Sequence, residues 1–280
     1  MVGEFALAGV MGWPIAQSRS PIIHNYWIKK YSLNGRYVPL AVRPEWLTDA
    51  IRGLPALGFR GCNLTMPHKQ LAMKMVDSLT ETAKRIGAIN CIVVGDDGKM
   101  SGTNNDGNGY ALSVQEAAPK WNPSDGPITI LGAGGAARAI IVAMLERGAK
   151  DILLINRTFE RAQALAKDFG PVIKPIAWEK RNDVIADIAL LTNATNQGML
   201  GKPALDILLD KLSRKTLVSD LIYAPPETPF LSAAKKRGNI TINGLGILLH
   251  QARPAFQAWF GILPELTSDL RATIMAAFHS

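Results

Sequence analysis

Cysteine is nearly missing from this chain, with only Cys62 and Cys91 in 280 residues. The two lack CxxC spacing and fall in strand-like segments, so neither a disulfide framework nor a cysteine metal site is expected. Both read as buried thiols, which suits a reducing cytoplasm. Long apolar runs are missing as well. None approaches the roughly 18 residues of a membrane span. The opening segment, MVGEFALAGVMGWP, has no basic n-region and reads as a first strand, not a secretory leader. A basic face interleaved with aromatics is also lacking. Net charge is +8, but the basic residues are scattered, and KKR at 235–237 is the densest run. That distribution argues against nucleic acid as a partner and is compatible with attraction of an anionic substrate or cofactor.

What is present alternates. Strand-like runs at 5–10, 36–42, 61–66, 90–94, 128–133, 151–157, 188–194 and 217–223 are separated by helical patterns such as 20–33, 45–58 and 135–149. That rhythm predicts an α/β protein with mainly parallel sheets. It breaks once. Val94 is followed by Gly95-Asp96-Asp97-Gly98 and a second extended run, the pattern of a hairpin turning at Asp-Gly. A polar stretch, PKWNPSDGP at 119–127, then precedes a fresh set of β/α units, so a change of domain is expected here. A last helical pattern, 247–260, is followed by Gly261 and a short terminal helix.

The clearest motif is ITILGAGGAARA at 128–139, an apolar strand running through Gly132-x-Gly134-x-x-Ala137 into a helix. The first glycine allows the tight turn, the second lets the backbone approach a pyrophosphate, and the small third residue packs helix on strand. Free N–H groups at the helix start then face the phosphates. The next strand of a dinucleotide site ends in Asp or Glu when the cofactor is NAD. Here DILLINRTFERA ends in Asn156-Arg157-Thr158, with Arg161 one turn on. Arginine pairs with a 2′-phosphate that a carboxylate would repel, so NADP is the expected cofactor. Asn193-Ala194-Thr195 closes a later strand at the same edge, either lining the nicotinamide side or capping the next segment.

Parallel α/β sheets bind ligands beyond the carboxyl ends of their strands. The loop after the first strand carries Ser18 and Ser20. The strand GCNLTM carries Asn63 and Thr65 two apart, hence on one face. Pro67 suits the first turn of a following helix, and Lys69 lies beside the same edge. A strand at 90–94 running antiparallel puts Asn90 at that edge, and the returning hairpin strand delivers Asp106 there. Hydroxyls, amides, one amine and one carboxylate suit a small polyhydroxylated anion. Each also has an ordinary reading. Ser20 before Pro21 equally suits a helix N-cap, Asp106 a cap near Gly107, Asn90 a turn, and Lys69 a solvated helix face.

These segments resemble the shikimate dehydrogenase family over nearly the whole chain. GWPIAQSRSPIIHN is similar to its N-terminal substrate motif and GCNLTMPHK to its NxTxPxK segment. GAINCIV and GTNNDGNG are similar to its Asn- and Asp-bearing segments, and NRTFERA to the NRTxxRA form that accompanies NADP use. DLIYAPPETPF and NGLGILLHQA, at 220–230 and 243–252, are similar to its late motifs. The resemblance implies reversible NADPH-dependent reduction of 3-dehydroshikimate to shikimate, in chorismate and aromatic amino-acid biosynthesis. It implies Lys69 and Asp106 as the catalytic pair. Ser18, Ser20, Asn63, Thr65, Asn90, Asp106 and Gln251 would hold the substrate, with Tyr223 near substrate and nicotinamide. The implied cofactor set is Gly132, Gly134, Gly135, Ala136, Ala137, Asn156, Arg157, Thr158, Arg161, Asn193, Thr195 and Gly244, with no metal. The implied fold is α/β with two domains. One is an N-terminal, mainly parallel α/β/α substrate domain, 1–107 plus 245–280. The other is a Rossmann NADP-binding domain, 108–244, and the C-terminal helices return to the first. A cytoplasmic monomer or homodimer is expected. The chain departs from the family pattern at Gln17, Cys91, Asn105, Asn196 and Ile247. The alternatives are a quinate/shikimate dehydrogenase of broader substrate use and a non-catalytic NADP-binding regulatory homologue.

Overall fold

Among the described residues, no strand in the first half of the chain is buried at every position, whereas three of the six in the second half are. Two different sheets result. The structure is a computed structural model that describes residues 5–278. Residues 1–4, part of the opening segment read above as a strand, lie outside the described residues. The chain divides into two compact units, one of residues up to Asn105 together with Leu249 onward, the other Asp106–Leu248.

The first unit contains β1 (Ala6–Gly12), α1 (Ser20–Lys30), β2 (Gly35–Ala41), α2 (Leu47–Gly53), β3 (Phe59–Leu64), β4 (Ser78–Leu79), α3 (Glu81–Ile86), β5 (Cys91–Val94) and β6 (Met100–Thr103). Its sheet runs β2-β1-β3-β5-β6-β4. β2, β1 and β3 are parallel, and β5 is antiparallel to both β3 and β6. The β5–β6 hairpin turns where expected. Gly98 sits at φ 77°, and the Lys99 N–H donates to Asp97 Oδ1 at 3.0 Å. The second unit contains α4 (Asp106–Ala117), β7 (Ile128–Leu131), α5 (Gly135–Glu146), β8 (Ile152–Asn156), α6 (Phe159–Phe169), β9 (Ile173–Ala177), β10 (Leu190–Asn193), β11 (Leu217–Asp220), α7 (Pro229–Lys236) and β12 (Thr241–Ile242). Its sheet is wholly parallel, in the order β12-β11-β10-β7-β8-β9. Counted within the unit this is the 3-2-1-4-5-6 order of the doubly wound dinucleotide fold, reversing between β7 and β10. β7, β10 and β11 are buried at every position, as strands covered on both faces must be.

Helix α8 (Gly244–Phe260) starts in the second unit and continues into the first, where α9 (Ser268–Ala276) follows. The C-terminal helices therefore belong largely to the N-terminal unit, as expected. The Trp259 indole donates to the Ile92 carbonyl at 3.0 Å. Gly61, at φ 152°, makes that approach possible, because a Cβ there would overlap both the indole and the carbonyl. One face of the first sheet packs on Leu47, Ile51 and Leu54. On the α1 side, Trp27, Phe256 and Trp259 surround His24.

Three local expectations change. The helix expected at Pro67 is a turn over residues 66–70 that runs into a 3-10 helix, Leu71–Met75. The reason is local: the His68 N–H donates to the Thr65 carbonyl at 2.9 Å, closing a tight turn around Met66 and Pro67. The stretch 119–127 joins α4 to β7 inside the second unit. The strand pattern also passes over β4, β9 and β12. Two of these are two residues long, and β9 carries Pro175, which only an edge strand tolerates.

Candidate active site

In the first unit the sheet order reverses between β1 and β3, whose carboxyl ends lie side by side with Val10 opposite Asn63. The pairing continues past the strand, where the Thr65 N–H donates to the Met11 carbonyl at 3.0 Å. The buried Asn63 amide donates to the Asn90 carbonyl at 2.9 Å, and its Oδ1 accepts the Tyr37 hydroxyl at 2.8 Å. Asn90 in turn donates to Gln251 Oε1 at 3.2 Å and accepts the Asn105 N–H at 2.9 Å. Ser18 Oγ accepts the Ser20 N–H at 3.4 Å. Tyr37, Asn63, Asn90 and Gln251 are thus joined into one network. Lys69 is half-buried, and its carbonyl accepts the Ile89 N–H at 2.8 Å, tying it to the residue before Asn90.

Two ordinary readings fall away. Ser20 is the first residue of α1 and not its N-cap, which is Arg19. Asn90 does more than close a turn, since its side chain joins the returning hairpin strand to α8. Asp106, next after Asn105, opens α4 in the second unit and is half-buried. Tyr223, also half-buried, lies just after β11.

In the second unit the glycine turn follows β7. Gly132 sits at φ 110°, and a Cβ there would stand 3.0 Å from the Ala194 carbonyl. Gly134 is the N-cap of the 12-residue helix α5 and offers no side-chain cap. Gly134, Gly135 and Ala136 are exposed, and a Cβ added at Gly134 or Gly135 meets nothing within 4 Å. A helix start with uncapped N–H groups and open space before it fits a pyrophosphate. Ala137 is fully buried, so its side chain packs the helix on the sheet and does not face that space. Arg157, Thr158 and Arg161 are exposed around the start of α6, where the Asn156 amide braces the Thr158 carbonyl at 2.8 Å. Two guanidinium groups at this strand end, with no carboxylate on Asn156-Arg157-Thr158, fit a 2′-phosphate.

Two members of the expected cofactor set take other work. Asn193 is completely buried. Its amide hydrogens go to the Gln197 carbonyl and to Asp220 Oδ1, at 3.1 and 3.0 Å. Its Oδ1 accepts the Thr195 N–H and hydroxyl, at 3.0 and 2.7 Å. All four hydrogen-bonding positions of the side chain are filled, and Asn193 shapes the loop carrying Thr195. Gly244 donates its N–H to the Ile222 carbonyl at 3.0 Å, and a Cβ there would overlap the Leu221 carbonyl. Its small size serves the packing of α8 against the end of β11.

Three residues of consequence escape sequence reasoning. Tyr37 is one; its partner Asn63 is 26 residues away, beyond any local pattern. His24 is another, stacked on Tyr37 at 4.1 Å between ring centroids, and burial lowers its pKa to about 3, so it is neutral. The third is Asp220, wholly buried at the end of β11. It accepts Asn193 Nδ2, the Ile222 N–H at 3.1 Å and the Thr228 hydroxyl at 2.8 Å. Burial raises its pKa to about 6 against the pull of those donors. An acid closing an apolar strand was the available signal. The two cysteines are buried free thiols, as expected. Among the described residues no helix is long and apolar enough to cross a membrane.

Comparison with known proteins gives a consistent result. The family model for the shikimate dehydrogenase substrate binding domain matches residues 10–92, and that for shikimate / quinate 5-dehydrogenase matches residues 115–226. The chain is 44% identical over 276 residues to a shikimate dehydrogenase (NADP(+)) of Paramagnetospirillum magneticum, covering 99% of this chain and 100% of the relative. It resembles the crystal structure of shikimate 5-dehydrogenase from Thermus thermophilus in complex with NADP(H) and shikimate. The TM-score is 0.84 and the identity 33%, over 98% of both chains. It also resembles quinate dehydrogenase from Corynebacterium glutamicum in complex with NAD, with a TM-score of 0.90 and 28% identity over 98% of this chain and 100% of that one.

Proposed function

The chain belongs to the shikimate dehydrogenase family, and we propose that it catalyses the reversible NADPH-dependent reduction of 3-dehydroshikimate to shikimate. The observation that carries the reading is the polar network at the carboxyl edge of the first sheet. Tyr37, Asn63, Asn90 and Gln251 are wired together there, with Lys69 tied beside Asn90. Such a set of hydroxyl and amide groups suits a ring bearing several hydroxyls and one carboxylate.

In this reading the first unit is the substrate domain, and Ser18, Ser20, Asn63, Thr65, Asn90 and Gln251 hold the substrate. The second unit holds NADP, with the α5 start at the pyrophosphate and Arg157 and Arg161 at the 2′-phosphate. Bound NADPH supplies the hydride that the substrate carbonyl carbon accepts. Lys69 Nζ gives a proton to the carbonyl oxygen, which becomes the hydroxyl, and takes it back in the reverse direction. A positioned acid of this kind contributes about 10² to 10⁴ in rate. Asp106 is the second catalytic group of the proposal, and Tyr223 is a further substrate-binding one. A cytoplasmic location and a monomer or homodimer complete the proposal.

The test is shikimate-dependent reduction of NADP followed at the NADPH absorbance band, with quinate and NAD as paired controls. Turnover of shikimate with NADP supports the reading. Comparable turnover of quinate moves the chain to the broader quinate/shikimate class, which its likeness to a quinate dehydrogenase keeps in view. No turnover with either substrate leaves a non-catalytic NADP-binding homologue.

A further inference from the structure

We infer that Tyr37 is a positioning residue for substrate, its hydroxyl holding the side-chain oxygen of the Asn63 amide that the Asn90 carbonyl orients. This rests on the functional reading above and deepens it. The Asn90 carbonyl can only accept. It therefore fixes the Asn63 NH₂ group on its own side, with Nδ2 at 2.9 Å. Oδ1 must then face the Tyr37 hydroxyl, 2.8 Å away, and the single phenolic proton goes to it. Asn63 is left with one N–H, a donor for a substrate oxygen.

The ring of Tyr37 is held for this task. It is 1% exposed and stacks on His24 with an interplanar angle of 4°. The Tyr37 backbone is clamped at both ends by Asn25, which accepts the N–H at 3.1 Å and donates to the carbonyl at 2.8 Å. His24 is neutral, so no charge competes for the phenol. Tyr37 itself is buried, and it acts through Asn63.

The experiment is Tyr37→Phe, which keeps the stacked ring and removes only the hydroxyl. The expected result is a rise in KM for shikimate of about tenfold, the scale of one lost hydrogen bond and the ordering it gave. Turnover number should stay within about twofold, and KM for NADP should not move. The substrate-induced rise in Tm should shrink, a comparison independent of how much the variant loses in basal stability. A double-mutant cycle with Asn63→Ala should be non-additive, because both changes break one hydrogen bond. An unchanged KM for shikimate, whatever the basal Tm does, overturns the inference. Equal rises in both KM values, or additive losses in the cycle, overturn it too. Wild-type protein that fails to turn over shikimate overturns the functional reading itself, and that outcome registers before any variant is made.

Discussion

The Asn193 amide donates to the Asp220 carboxylate at 3.0 Å, and both side chains are completely buried. The pair ties the loop after β10 to the loop after β11, at the edge where the glycine turn after β7 also ends. Thr195 hangs from one side of this knot through Asn193 Oδ1. Thr228 completes the other, donating to Asp220 and capping α7 through the Leu231 N–H at 3.3 Å. Three donors converge on one carboxylate, with no cation among those bonds. Burial still wins, raising the pKa from 3.8 to about 6.

That balance predicts a pH-dependent stability. A carboxyl group whose folded pKa is raised binds its proton more tightly folded than unfolded. Between about pH 4 and 6 its contribution to stability therefore falls as pH rises, and above that window it is constant. Asp220→Asn removes the titration and keeps an Oδ1 for Asn193 and Ile222, while its NH₂ faces the Thr228 hydroxyl. Relative to wild type, the variant should gain on the order of 2 kcal/mol in unfolding free energy from pH 4 to 6. Urea unfolding of both proteins across pH 4 to 7 measures this. A difference that does not change with pH would show that Asp220 does not titrate there.

How much of this was legible beforehand follows from the range of each interaction. The Gly132-x-Gly134 turn is local, because strand, turn and helix are contiguous, and the alternating rhythm was enough to expect both sheets. The Asp97-Gly98 hairpin was equally local. Asn63 and Thr65 were placed on a common face by the two-residue period alone. The linkage of Asn63 to Tyr37, of Asn90 to Gln251 and of Asn193 to Asp220 spans 26 to 161 residues, and no local pattern encodes it. Asn193 illustrates the cost: at a strand end it read either as lining the nicotinamide side or as capping the next segment, and only its bonds to Gln197, Asp220 and Thr195 show how it shapes the loop.

Gly134 offers a way to separate folding from cofactor binding. Its φ of −96° is open to any residue, and an added Cβ meets no protein atom. Gly134→Ala should leave Tm unchanged to within a few degrees, since no clash or backbone strain arises. The methyl group would instead occupy the space kept for the pyrophosphate, raising KM for NADP by about tenfold or more. Differential scanning fluorimetry with and without NADP reads both quantities. A lower Tm with normal NADP binding would assign the glycine to the fold.

Arg157 is exposed at the end of β8, with Arg161 exposed one turn into α6. A charge-assisted contact to a 2′-phosphate is worth roughly 1.5–3 kcal/mol. Arg157→Ser should raise KM for NADPH roughly 10- to 100-fold and leave that for NADH nearly unchanged, since NADH has no 2′-phosphate to lose. Equal losses with both cofactors would remove the 2′-phosphate contact from the proposal.

Lys69 is where the chemistry is most directly tested. Its carbonyl holds the Ile89 N–H, a bond that truncating the side chain leaves in place. Neighbouring Asn90 keeps its own partners, Asn63, Asn105 and Gln251. Lys69→Ala should therefore fold normally and retain the amide groups expected to hold substrate, so KM for shikimate should stay within about threefold of wild type. What is lost is the group that moves the proton, and turnover number should fall by about 10² to 10⁴. Steady-state kinetics in both directions, on protein whose Tm matches wild type, makes the comparison. Turnover close to normal would transfer the proton to another group, with Asp106 the next to examine.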